Sequence, residues 1–306
     1  MLSDDLASRK LNSDEQLWHY TDFAGLKGIL EGNLWASSLR YLNDSEEFRY
    51  GITIATRLLK EETTKHEPAL GGKSVAALNE AIQKFFDDYS GDDTHISSLS
   101  AAKDDLSQWR AYSGSGPSFA VGFSPERLER RADASAFRLT QVIYSEEEVA
   151  SEIAPIVKQH VQDMLSEAFQ RGRPLLDEHS FALIWGNAIA ADFVEKAPQF
   201  KHHKFSAERE WRLIRQLAVI SQLPHLPIKY RRSGSLLIPY VDMPLHEKPN
   251  TESVQQTGNI VDTPISTILI GPSPHQPDIE RVVNQMLRNW EFKVTVELSQ
   301  VPFRNW

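Results

Sequence analysis

Two glutamates, Glu208 and Glu210, stand in the run Glu208-Arg209-Glu210-Trp211-Arg212-Leu213-Ile214, whose apolar members read as a β-strand. Residues two apart on a strand project from the same face, so this reading points both carboxylates one way and sends Trp211 and Leu213 toward the core. Like charges held close raise one pKa and make an acid/base or cation-stabilising pair. An edge strand on which Glu210 and Arg212 form surface salt bridges accounts for the same residues, and both readings stay open. His19, between Trp18 and Tyr20 on another strand, is either a hydrogen-bonded core histidine or a functional one. Trp109 and Tyr112, three apart on a short helix, are spaced to stack on a planar ring or to pack.

Other chemistries are poorly served. His202 and His203 are adjacent, so they diverge on either a strand or a helix and make no chelate. With no HExxH pattern and no cysteine, no metal is expected; the lack of cysteine also removes disulfides, thiolate sites and a cysteine nucleophile. Gly-x-Ser-x-Gly is absent, and Gly114-Ser115-Gly116 reads as a turn.

The elements that must position these residues alternate at first and then run consecutively. A strand from Gln16 to Thr21 is followed by a helix that Asp22 caps and Gly32 ends, and Leu34 to Ser38 returns as a strand. Long helices are predicted from about Glu46 to Lys65 and from about Ser74 to Asp88. Ile96 to Ser100, Ser118 to Phe123 and Phe137 to Tyr144 read as strands, with a short helix from Lys103 to Tyr112. The strand at Ser118 alternates bulky Phe119, Val121 and Phe123 with Ser118, Ala120 and Gly122, a small face that invites close approach. Later strands are expected at Arg209 to Arg215, Leu236 to Val241, Thr267 to Ile270 and Phe292 to Leu298, with a helix from Pro277 to Asn289. The fold class is therefore α+β with a mixed sheet. The expected organisation is a single domain over 1–306 with helical insertions at about 46–88 and 145–196 and a polar loop at about 245–264. No GxGxxG or GxxxxGK[ST] opens a helix, which disfavours a doubly wound nucleotide fold.

The chain has 306 residues, 41% hydrophobic and 25% charged, an ordinary globular composition. No window approaches the roughly 18 consecutive apolar residues of a membrane span, and the first residues hold no apolar run, so a cytoplasmic protein is expected. A net charge of −9 argues against broad binding to a phosphate backbone. The basic clusters Arg130 with Arg131, Lys201 to Lys204, and Lys229 with Arg231 and Arg232 read as solvated surface.

Four stretches together carry a resemblance: LWHYTDFAGLKGILEGNLWASSLRYLNDSEEF, SSLSAAKDDLSQWRAYSGSGPSFAVGF, HHKFSAEREWRLI, and the end of the chain from ILIGP to SQVPFR. Through them the sequence resembles the bacterial domain of unknown function 2971 family from about Trp18 to Arg304. The layout is similar to that of the ADP-ribosyltransferase superfamily, including DarT-like DNA-modifying toxins, and implies a split β-sheet core of that type. The resemblance puts His19 at the NAD ribose with Tyr20 and Thr21 beside it, and Ser98 and Ser100 in a Ser-x-Ser motif bracing the site. It puts Trp109 and Tyr112 on the nicotinamide and Arg40, Lys204 and Arg212 on the pyrophosphate. Glu210 takes the catalytic glutamate's place, with Glu208 completing a Glu-x-Glu pattern. A His/Tyr beginning and a Glu-x-Glu continuation belong to different branches, so the acceptor is unassigned. Asn43 and Asp44 belong to the resemblance as a structural turn.

The implied function is an NAD-dependent ADP-ribosyltransferase or NAD-cleaving enzyme, a defence or toxin-type effector. NAD would be its substrate, with a protein or nucleic-acid acceptor and a regulatory protein partner. A non-catalytic module binding a nucleotide signal in the same cleft is the alternative. A nuclease is third, weakened by the net charge and the missing acidic metal cluster.

Overall fold

The structure, a computed structural model, describes residues 15–41, 46–112, 116–170, 177–216, 226–246 and 262–302. Its first elements are β1 (Leu17–Asp22), α1 (Phe23–Leu30), β2 (Asn33–Ser38), α2 (Glu46–Lys65), α3 (Glu67–Leu70) and α4 (Gly72–Asp88). Next come β3 (Thr94–Ser100), α5 (Leu106–Tyr112), β4 (Ser118–Phe123), α6 (Pro125–Ala134), β5 (Arg138–Gln141), α7 (Glu146–Gln170) and α8 (Glu178–Lys196). The last are β6 (Glu210–Gln216), β7 (Lys229–Ser233), β8 (Leu236–Pro244), β9 (Ile265–Ile270), α9 (Gln276–Asn289) and β10 (Thr295–Leu298).

These elements form two units. One draws on residues 1–38, 93–141 and 207–306, the other on 39–92 and 142–206. Both stretches read as helical insertions, 46–88 and 145–196, fall in the second unit. There, amphipathic helices bury Leu59, Leu78, Ile82, Val157, Ile189 and Phe193 in their own core.

The first unit is the sheet. Its strands run β10-β9-β4-β1-β3-β2-β8-β7, with β6 on β3 and β5 on β6. Every pairing is antiparallel except β9 with β10, so the α+β class holds. One face buries Leu17, Leu99, Phe119, Val121, Trp211 and Leu213 against α1, α6 and α9. The small face of β4 is filled as its alternation predicts: a Cβ on Gly122 would lie 3.0 Å from the Trp18 ring, so the indole rests on the glycine. Asp22 caps α1 by accepting the Gly25 N–H at 3.0 Å, and Gly32, with φ at 96°, turns the chain beyond it.

Three local readings need correction. The strand expected from Phe137 to Tyr144 spans only Arg138–Gln141, because Ala136 is left-handed and Ile143 bridges Phe200 in the second unit. The basic cluster at Lys229 lies on strand β7, where Lys229 and Arg232 are exposed as expected and only Arg231 departs from that reading by being half-buried; Gly234, whose φ of 56° suits a tight hairpin, joins the strand to β8. Glu208 is not on a strand: it ends a 3-10 turn over His203–Glu208, and Arg209, at φ 47°, separates it from β6. The polar loop at 245–264, the Asn43-Asp44 turn and Gly114-Ser115 lie wholly or mostly outside the described residues. Among the described residues, no helix is long and apolar enough to cross a membrane.

Candidate functional site

Strand β3 organises the site. Along one edge β6 pairs with it over its whole length, from Thr94↔Gln216 to Ser100↔Glu210. On the other edge β2 meets only His95 and Ile96, and β1 meets only Ser100, through Trp18. Ser97, Ser98 and Leu99 therefore face a parting between β1 and β2, with no strand ladder on that edge among the described residues. Backbone groups there need other partners. His19 supplies one: its Nδ1 lies 2.9 Å from the Ser98 carbonyl oxygen.

A carbonyl only accepts, so Nδ1 carries the proton in that bond. Burial holds the imidazole pKa below its ordinary 6.5; the Ser98 contact opposes that shift, and the Arg231 guanidinium adds to it. The ring is accordingly neutral at pH 7, and its Nε2 offers a lone pair to a ligand hydroxyl. The sign of the linkage follows. Because the folded pKa is depressed, His19 contributes stability that is fully present above 6.5 and is lost as pH falls through the folded value. His19→Gln is expected to flatten that acid limb in unfolding measured from pH 7.5 to 5; an unchanged limb would show that His19 does not carry it.

Arg231, on β7, is the residue that the sequence reading passed over. Its Nη2 donates to Ser37 Oγ at 3.1 Å, and its guanidinium lies 5.8 Å from the Trp35 ring centroid. Its Nε is buried with no acceptor among the described residues. Burial lowers the Arg231 pKa, while electrostatic interaction with Asp22 and Tyr240 opposes that shift. Tyr240 in turn packs on Trp35 at 5.4 Å. A half-buried cation with an unused donor beside two aromatic rings is suited to an anionic group carried on a planar ring. Its only trace in the sequence was the Lys229-Tyr230-Arg231 alternation inside a cluster read as surface.

The predicted motifs do lie on neighbouring strands. Trp18, Ser100 and Glu210 form one row across β1, β3 and β6, with Ser98 opposite Arg212 in the row beside it. Alternation starts His19 on the opposite face, with Leu99 and Trp211. Ser100 braces the bend after β3: its Oγ donates to the Glu208 carbonyl at 2.7 Å and accepts from Ala102 N at 3.0 Å. Tyr20 does the same one strand away, donating to the Ala102 carbonyl and accepting from Asp105 N. Burial, with Asp105 and Asp104 nearby, pushes its phenol pKa up to about 12.

Glu210 and Arg212 are buried and paired. Arg212 Nε meets Glu210 Oε1 at 2.8 Å, and Nη2 meets Oε2 at 3.0 Å. The surface salt bridge on an edge strand is thus a two-pronged ion pair on an interior one, and Arg212 is committed to Glu210. Trp109 is 3% exposed, edge-on to Tyr20 at 4.8 Å, so it packs rather than presenting a face for stacking. Tyr112 is exposed, and Thr21 is half-buried beside the parting. Arg40 and Lys204 belong to the second unit, where Arg40 lies 3.9 Å from Asp92. Among the described residues, no group of three or more His, Asp or Glu side chains is placed to hold a metal ion.

Residues 108–213 match the family described as "Protein of unknown function (DUF2971)", so the resemblance drawn from the sequence holds from α5 into β6. No curated protein and no solved structure matches the chain.

Proposed function

We propose that the parting between β1 and β2 binds NAD, and that the chain is an NAD-dependent ADP-ribosyltransferase or NAD-cleaving enzyme. The observation that carries this reading is the neutral His19, fixed by the Ser98 carbonyl where the sheet divides, with Arg231 beside it. Nε2 of His19 accepts from a ribose hydroxyl, and Arg231 takes the pyrophosphate role first expected of Arg212. Breaking the nicotinamide–ribose bond develops oxocarbenium character, which a nearby carboxylate stabilises while accepting from the 2′-hydroxyl. Glu210 is the carboxylate for that role; its strand position starts it on the face opposite His19, so one ribose would reach both only through the parting. Both its oxygens are held by Arg212, so one must be released to the ribose. Glu208, positioned through its carbonyl by Ser100, then orients the acceptor, a protein or nucleic acid, or water.

The same ion pair favours a second reading, a non-catalytic nucleotide-binding module, because a carboxylate bound at both oxygens is poorly placed to turn toward a substrate. Calorimetry with NAD and an assay of nicotinamide release separate the two. The enzymatic reading expects release by the intact chain, and Arg231→Ala is expected to weaken NAD binding roughly tenfold or more, the scale of one charge-assisted hydrogen bond. Tight binding without release supports the module. A chain that neither binds nor cleaves NAD defeats both for this nucleotide.

A further inference from the structure

The second unit carries its own cleft, of about 620 Å³, between α2 and the end of α4. Small-molecule sites span about 300–1,000 Å³. Its cations come mainly from one stripe of α2. Arg49, Thr53, Thr56, Arg57 and Lys60 recur in steps of three and four residues, so they share a helix face. Arg40 joins them from the turn Leu39–Tyr41. Arg57 meets Glu146 at 2.8 Å, whereas Arg49 and Lys60 have no ion-pair partner among the described residues. Among the described residues Asp87 is the single carboxylate lining the cleft, and it already accepts from Gln83 at 2.9 Å.

Among the described residues four cations face one carboxylate in a chain of net charge −9, and although Arg40 lies 3.9 Å from Asp92 and Arg57 meets Glu146, Arg49 and Lys60 leave the cleft with an excess of positive charge. Arg49, Arg57 and Lys60, held on one helix face, repel one another, which a bound anion relieves. The other wall is aromatic. Phe48 stacks on Tyr89 at 5.2 Å and 29°, and Tyr89 on Phe85 at 6.0 Å and 13°. Phe48 and Tyr89 both line the cleft and are half-buried, with Tyr89 the middle ring of the three, so a further planar ring would meet the cleft side of Phe48 and the edge of Tyr89. From Arg49 to Lys60 the stripe runs roughly 16 Å at 1.5 Å per residue. One orthophosphate cannot meet cations spread over that length.

We infer that this cleft binds a nucleoside polyphosphate, its phosphates along the α2 stripe and its base against Phe48 and Tyr89. An extended nucleic acid is disfavoured, because its backbone needs cations well beyond one cleft. The inference rests on none of the reading of the β1/β2 parting, which belongs to the other unit.

Calorimetric titration of the full chain with ATP, tripolyphosphate and a short single-stranded RNA tests it. ATP is expected to bind more tightly than tripolyphosphate, and Tyr89→Leu to remove that advantage. Arg49→Ala and Lys60→Ala, both at exposed positions whose replacement leaves the core untouched, should each weaken both ligands roughly tenfold. No binding of ATP or tripolyphosphate at millimolar concentration overturns the inference, as does binding indifferent to Arg49 and Lys60. RNA binding that ATP does not displace overturns it too, and equal affinity for ATP and tripolyphosphate overturns the place given to the base.

Discussion

Replacing Arg212 by Met is expected to lower stability by about 3–5 kcal/mol, as is replacing Glu210 by Leu, while the double replacement recovers most of the loss. The two side chains are 2% and 6% exposed, and they meet through parallel contacts of 2.8 and 3.0 Å. Removing either partner strips a buried charge of this two-pronged contact. Removing both leaves two apolar side chains of similar length between β3 and β5, which is close to neutral for a buried pair. Urea unfolding of the two single variants and the double variant forms a cycle that isolates the coupling. Single variants within about 1 kcal/mol of the parent would sink the claim. So would a double variant as unstable as the two losses summed. The result also bears on chemistry, because a Glu210 variant that loses nicotinamide release must first be shown to stay folded.

How much of this was legible in the sequence differs from one feature to the next. Strand β6 could be read from Trp211, Leu213 and Ile214, and β1 from the alternation around Trp18, because period two is a local property. The Asp22 cap and the Gly32 turn were legible for the same reason. Register is not local: that Trp18, Ser100 and Glu210 share a row depends on pairings between residues far apart in the chain. Glu208 was misplaced because a single left-handed residue, Arg209, ends the strand pattern, and arginine carries no sequence signal for that conformation. Arg231 was hidden among neighbouring cations, and only the hairpin with β8 shows that it turns toward Ser37 and Trp35. The two helical stretches at 46–88 and 145–196 were each visible, yet nothing in their amphipathic patterns says that they share one core.

Trp109 gives a comparably large effect and separates packing from stacking on a ligand. Trp109→Ala is expected to lower stability by about 3–5 kcal/mol, the usual cost of emptying a large buried aromatic site. The indole lies edge-on to Tyr20 at 4.8 Å, and a Cβ on Gly271 would approach it to 2.9 Å, so the ring is enclosed on several sides. Its Nε1 donates to Asp104 at 2.8 Å, and the same carboxylate accepts from Ser299 Oγ at 2.5 Å and Gln300 N at 2.7 Å. Trp109 therefore ties α5 to the segment after β10 through a shared anion. Trp109→Phe keeps most of the packing and loses that one donor, so its cost should fall near 1.5–3 kcal/mol, roughly the range for a hydrogen bond to a charged group. Urea unfolding of both variants measures the order. A tryptophan kept for a nicotinamide ring would give the opposite pattern, with stability nearly intact in both variants and NAD binding lost in Trp109→Ala.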